Sequence, residues 1–190
     1  MVMQVVTHYV AVKSGKAIRF EEEKTRSMGR NASGVRGIRL NSDNDEVIGM
    51  ITINESESDV LVVSENGYGK RSSLEDYRIT NRGGKGVKTI SVTEKTGSLV
   101  AIKNVTDSDD LMIINKSGIA IRLEVDNLRV MGRATQGVRL IKVRDGDAIA
   151  AVAKVMSDDD DIEIDEDGNV IVQENNPNEI NDSDITKEEE

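Results

Sequence analysis

The chain of 190 residues contains no cysteine, no tryptophan, one phenylalanine, three tyrosines, one proline and one histidine. Without cysteine neither a disulfide nor a thiolate metal site can form, and the single His8 cannot assemble a histidine-based one; this composition fits a reducing compartment. Scarce aromatics leave the core to Val, Ile and Leu, which in short runs favour buried strands. They also deprive the chain of the stacking platforms that single-stranded nucleic-acid binders use. No apolar run approaches the roughly 18 residues of a membrane span, and the N-terminus shows no basic-then-apolar secretion pattern. No window sustains a 3.6-residue apolar spacing, so helix is limited to single turns near 74–77 and 125–128. Paired carboxylates, a nucleophile–base set and phosphate-loop spacing are all missing. The expectation is therefore a chain with no catalytic residue, no metal, no cofactor, no small-molecule substrate and no membrane contact.

Charge is abundant but uneven. Residues 1–156 hold 24 Lys and Arg against 20 Asp and Glu, a balance of +4; residues 157–190 hold one Lys against 15 acids, a balance of −14. The net charge of −10 thus conceals a mildly basic body and a strongly acidic tail, an asymmetry that points towards nucleic acid or a membrane surface. With its high charge and few apolar residues, 157–190 is expected to be disordered.

A repeat organises the body. Ser14-Gly15-Lys16-Ala17-Ile18-Arg19 recurs as Asn66-Gly67-Tyr68-Gly69-Lys70-Arg71 and as Ser117-Gly118-Ile119-Ala120-Ile121-Arg122, so the glycines stand 52 and 51 residues apart. A second landmark keeps the same register: Arg30-Asn31-Ala32-Ser33-Gly34-Val35-Arg36, Arg82-Gly83-Gly84-Lys85-Gly86-Val87-Lys88 and Arg133-Ala134-Thr135-Gln136-Gly137-Val138-Arg139. Each unit opens with an apolar run, at 9–12, 60–63 or 111–114, followed by a glycine turn. Asn66-Gly67 has the composition of a type I′ turn. Two further apolar stretches close the unit, 35–40 with 47–53 in the first copy and 138–143 with 149–155 in the third. Four short strands per repeat predict an all-β, propeller-like array in which units stack to bury their faces. The expected units are about 5–55, 56–106 and 107–156.

The second landmark combines glycine with cations. Glycine lets the backbone approach a partner closely, and neighbouring Lys and Arg can neutralise phosphates. Equivalent loops around a propeller-like array would lead an evenly charged polymer along one rim, and duplex DNA carries one negative charge per roughly 1.7 Å of axis. The candidate contacts are Arg30, Arg36, Arg39, Lys70, Arg71, Arg82, Lys85, Lys88, Arg122, Arg133, Arg139 and Lys142. Arg36 and Arg39 would point to opposite faces of a regular strand, so both reach one partner only if the chain departs from strand geometry at Gly37. A protein-interaction scaffold is the alternative for an array of this kind.

At Glu65-Asn66-Gly67-Tyr68-Gly69-Lys70-Arg71, Arg82-Gly83-Gly84-Lys85-Gly86-Val87, Gly34-Val35-Arg36-Gly37-Ile38-Arg39-Leu40 and Met131-Gly132-Arg133-Ala134-Thr135-Gln136-Gly137-Val138 the sequence resembles the C-terminal domain of bacterial DNA gyrase A. The similarity spans about residues 5–156, and the acidic tail fits as well. The resemblance implies a six-bladed β-pinwheel that wraps duplex DNA around a basic perimeter, of which this chain would hold the last three blades, half of the ring. It implies as partners duplex DNA, the remainder of gyrase A and gyrase B, in a bacterial, nucleoid-associated cytoplasmic setting. It also implies a role within an ATP-dependent type II topoisomerase whose catalytic tyrosine lies elsewhere. Thr80-Asn81-Arg82-Gly83-Gly84-Lys85-Gly86 matches only the last five positions of the family's diagnostic Gln-Arg-Arg-Gly-Gly-Lys-Gly box. The related domain of topoisomerase IV is the neighbouring alternative.

Overall fold

The computed structural model describes residues 6–54, 58–156, 163–164 and 170–171. The chain divides into a unit spanning Met1–Ser157 and a second spanning Asp158–Glu190. In the first unit the strands are β1 (Thr7–Val12), β2 (Lys16–Glu21), β3 (Val47–Ile53), β4 (Asp59–Ser64), β5 (Tyr68–Ser73), β6 (Val87–Lys88), β7 (Leu99–Val105), β8 (Asp109–Asn115), β9 (Ala120–Glu124), β10 (Val138–Arg139) and β11 (Ile149–Met156). Single 3-10 turns stand at Glu22–Lys24 and Leu74–Asp76. The fold is all-β, as expected.

Every strand pairs antiparallel, and the order shows how the repeats interlock. The first sheet runs β3-β1-β2-β6, the second β10-β5-β4-β7 and the third β11-β8-β9. Each repeat thus builds three strands of its own sheet, and the second and third hand their glycine–cation strand back to the sheet before: β6 pairs β2, with Ala17 opposite Val87, and β10 pairs β5, with Gly69 opposite Val138. The second and third repeats carry the four strands expected of each, divided between two sheets, while the first carries three. Two sheets reach four strands by borrowing, and the third has three. The expected strand at 35–40 is not formed; Ile38 packs instead against Val10, Val12, Ile18 and Phe20 of the first sheet, and the Arg39 amide donates to Gly84 O at 2.8 Å. In the third repeat only Val138–Arg139 of the expected stretch is strand.

Glycine dictates the geometry of both landmarks. Among the described residues none other than glycine has positive φ, so Asn66 does not adopt the type I′ conformation expected of it. Instead the Gly67 N–H donates to Ser64 O at 3.0 Å, closing a three-residue hairpin loop that ends on Gly67 at φ 79°. This is a type I turn followed by a left-handed residue, a common three-residue hairpin. At the second landmark Gly86 (φ 70°) and Gly137 (φ 81°) press against the preceding sheet. A Cβ at Gly86 would lie 2.7 Å from Ala17 O, and one at Gly137 2.5 Å from Gly69 O.

The core lies between sheets. Val60 and Val62 join Tyr9, Ala11, Ile53 and Ile90 in the cluster between the first and second sheets. Leu61 and Val63 join Leu111, Ile113, Ile149 and Val152 between the second and third. Strand β4 is therefore covered on both faces, and all four residues 60–63 are fully buried. In β8 the covered and uncovered faces alternate: Leu111 and Ile113 are fully buried, Met112 and Ile114 only partly. Each fully buried Val or Leu contributes roughly 1.5–3 kcal/mol, which is why one sheet alone cannot hold together and the stack can. Asp45 and Asp147 tie corresponding turns. Asp45 accepts from the Ser14 amide and hydroxyl at 3.0 and 2.8 Å, and Asp147 from the Ser117 amide and hydroxyl at 3.2 and 2.7 Å. Burial alone would raise the Asp45 carboxyl, but the Ser14, Asn41 and Glu46 hydrogen bonds outweigh it and hold the group below the usual range. In the second unit β12 (Glu163–Ile164) pairs β13 (Val170–Ile171). The remaining positions of the expected disordered tail lie outside the described residues.

Candidate nucleic-acid interface

The cations of the repeated landmarks separate into two classes. One class points inward. Arg82 Nε donates to Lys24 O at 2.9 Å and its Nη1 to Arg36 O at 3.2 Å. Arg133 repeats the pattern one unit on, reaching Asp76 O at 2.9 Å and Lys88 O at 2.8 Å. The four acceptors are themselves 52 residues apart, so both arginines are the same brace, binding a landmark loop to the repeat before it. Lys70, 1% exposed, donates to Gly132 O at 2.6 Å and Thr135 Oγ1 at 3.2 Å. Burial pushes its ammonium down to about 8, with Asp76 partly opposing the shift. Arg71 is buried, with Nη1 on Asp107 and Nε 3.7 Å from Asp59. Arg122 is half-exposed and paired with Asp110 at 2.5 Å.

The other class faces solvent. Arg36, Lys88 and Arg139 occupy one register position in the three repeats and all are exposed, as are Arg30, Arg39, Lys85 and Lys142. Because 35–40 is not strand, Arg36 and Arg39 are exposed together, which removes the difficulty posed by a regular strand. Strands β6 and β10 therefore bring Lys88 and Arg139 to the borders of the first and second sheets, while Arg36 lies on the corresponding segment of the first repeat.

The structure adds cations that the repeat pattern had not singled out. Lys16 stands directly opposite Lys88 across the β2–β6 pair. Like charges facing each other at a sheet edge destabilise it, and an anion between them reverses the sign. The Lys16 ammonium also donates to Asn41 Oδ1 at 3.0 Å. Arg139 stands opposite Tyr68, over whose ring the Lys95 ammonium lies at 5.3 Å. Tyr68, Lys95, Arg139 and Arg144 share the lining of a cavity of about 270 Å³ with Asp145 and Asp147. Another cavity, of about 190 Å³, is lined by Arg19, Arg78, Lys85 and the backbone about Gly84 and Gly86. Lys95 and Arg144 have no cationic counterparts in the other repeats and so escape the repeat pattern, whereas Arg78 recurs as Arg26 and Arg129 but stands four residues before the second landmark, outside it. Lys16 was visible in the first landmark, but its pairing with Lys88 required the strand order. Among the described residues no group of three or more His, Cys, Asp or Glu could hold a metal ion, and no helix is long and apolar enough to cross a membrane.

The arrangement can receive a polyanion on side chains whose donors are free of internal duties, held on loops that half-buried guanidinium braces and glycine contacts make rigid. Comparison with known proteins places it. The family profile described as "DNA gyrase C-terminal domain, beta-propeller" matches residues 13–54, 58–106 and 109–156. The DNA gyrase A protein of Staphylococcus epidermidis is 50% identical over 144 residues, 75% of this chain and 16% of that protein. The chain thus spans about a sixth of the length of this curated relative. A solved gyrase A C-terminal domain superposes with a TM-score of 0.72 at 26% identity, covering 80% of this chain and 52% of that one. The C-terminal domain of a DNA topoisomerase IV gives 0.75 at 18% identity over 82% of this chain and 48% of that one, a likeness of fold. The chain belongs to the DNA gyrase C-terminal domain family of β-propeller repeats.

Proposed function

We propose that this chain binds and wraps duplex DNA without reading its sequence, along the border where Arg36, Lys88 and Arg139 recur, as the wrapping module of a gyrase A protein. The observation that carries this reading is the sorting of the cations. Arg82, Arg133 and Lys70 are committed to backbone carbonyls, whereas the register position next to them is exposed in all three repeats. Contacts to phosphate position a duplex and carry no sequence information. The chain would act without a catalytic residue or cofactor of its own. Its setting would be the bacterial cytoplasm at the nucleoid, with the remainder of gyrase A and with gyrase B supplying the strand-passing chemistry.

The test compares the chain with the triple variant Arg36→Ala, Lys88→Ala, Arg139→Ala. Affinity for a mixed-sequence duplex is measured across a salt series. Each lost phosphate contact lowers the slope of log K against log salt by about 0.9, so the variant's slope should be shallower by about 3. Wrapping is read separately, by relaxing circular DNA with the chain bound and measuring the linking-number change. Equal slopes for chain and variant would remove these residues from the interface. Absence of any DNA affinity at low salt would return the chain to the protein-scaffold reading.

A further inference from the structure

Taking the chain as a duplex binder, we propose that the corner where the second repeat meets the third is a phosphate clamp, with Lys95 on one side and Arg139 and Arg144 on the other. This corner holds the duplex harder than the corner between the first and second repeats does.

The second repeat builds its corner differently from its neighbours. In the first and third repeats an aspartate of the outer loop, Asp45 or Asp147, accepts from the serine before the turn glycine. The second repeat has no aspartate in that loop, and the direction of bonding reverses. The Asn66 side-chain amide donates to Glu94 O at 3.1 Å and to Lys95 O at 3.2 Å. The Asn66 backbone amide donates to Thr96 O at 3.0 Å, and the Gly97 amide to Thr93 O at 2.9 Å. The loop is thus held without a carboxylate and presents an ammonium, that of Lys95, seated 5.3 Å from the centre of the Tyr68 ring. Such a seat attracts a cation and fixes its place. Glu94 of the same loop does not line the cavity.

The third repeat supplies Arg139, opposite Tyr68 across the β5–β10 pair, and Arg144. Lys95, Arg139 and Arg144 are exposed, and none makes an ion pair among the described residues. Two carboxylates share their cavity of about 270 Å³. Asp147 is taken up by Asn115, Ser117 and Ala148, and Asp145 is exposed. Cations gathered round one concavity repel each other, and an oxyanion among them reverses the sign. Arginine grips two phosphate oxygens at once, and lysine adds a point charge. The corner between the first and second repeats has less to offer. There Lys16 faces Lys88, Lys16 already donates to Asn41, and the adjoining loop is held by Asp45.

Tyr68 reports on the site. Tyr9 and Tyr77 are 0% and 1% exposed, and the chain has no cysteine, so tetranitromethane should nitrate Tyr68 alone. A saturating mixed-sequence duplex at low salt should abolish that nitration. The double variant Lys95→Ala, Arg144→Ala loses two phosphate contacts, so its slope of log K against log salt should be shallower by about 2. At one fixed salt concentration it should bind more weakly than the equally charged variant Lys16→Ala, Lys88→Ala. Equal affinities of the two variants would overturn the ranking of the corners. An unchanged slope in Lys95→Ala, Arg144→Ala, or nitration as fast in the complex as in the free chain, would overturn the clamp and leave the duplex reading standing. A full chain with no DNA affinity at low salt would overturn both. Protection of Tyr68 by tripolyphosphate matching that by duplex, at the same phosphate concentration, would overturn the duplex as ligand in favour of a free anion.

Discussion

Lys70 and Arg133 meet at one loop, and both do work that their charge conceals. Lys70 is fully enclosed, and burial lowers its ammonium from 10.5 to about 8. Between those values the unfolded chain holds a proton that the folded chain has released, so this residue's contribution to stability rises as pH climbs from about 8 to 10.5. Relative to Lys70→Met, the unmodified chain should therefore gain on the order of 2 kcal/mol over that interval. Urea midpoints of both proteins at pH 7.5 and 10 measure the difference, and parallel shifts would show that burial does not set this lysine's titration. Arg133→Ala leaves two carbonyls of the preceding repeat without their donor and should cost about 2 kcal/mol, read from the thermal midpoint. Arg139→Ala removes an exposed side chain. It should leave stability within about 0.5 kcal/mol while weakening DNA binding. The opposite pattern would reverse the assignment of brace and contact.

At the scale of strands and turns, the repeat and the all-β class were legible because glycine and arginine mark the same points every 51 or 52 residues. The apolar runs at 60–63 and 111–114 likewise announced β4 and β8. The destination of β6 and β10 was not legible. Val87–Lys88 and Val138–Arg139 look like strands of their own units, and nothing local says that Ala17 and Gly69 are their partners. The same exchange hid the inward turn of Arg82 and Arg133, since a brace and a phosphate contact use the same residue type beside the same glycines. Asp45 and Asp147 escaped for a simpler reason. They stand 30 and 29 residues after Gly15 and Gly118, but the second repeat puts Gly97 or Thr96 there, so the pattern is broken in one copy. The borrowed strand makes a sharp prediction about glycine. Gly137 and Gly146 both hold φ 81°, but a Cβ at Gly137 meets Gly69 O, whereas one at Gly146 meets nothing within 4 Å. Gly146→Ala should cost about 1 kcal/mol from backbone conformation alone. Gly137→Ala should cost about 3 kcal/mol or more, because the strand must also withdraw. Equal losses in urea denaturation would show that β10 is not held by this contact.

For the whole molecule, charge is partitioned between the two units. Removing residues 157–190 takes the net charge from −10 to +4. DNA affinity at low salt should rise on truncation, with the gain shrinking as salt approaches molar concentration and the screening length falls to about 3 Å. An unchanged affinity at low salt would show that the acidic segment does not compete for the cationic border. The handing back of strands has a further consequence, for synthesis. A chain emerging from the ribosome presents β1, β2 and β3 long before β6, since Ile53 precedes Val87 by 34 residues. The first sheet must therefore wait with β2 as a bare edge until most of the second repeat has left the exit tunnel. The same delay recurs for β5 and β10, so the protein is sewn rather than stacked, each stitch tightened only by the next length of thread.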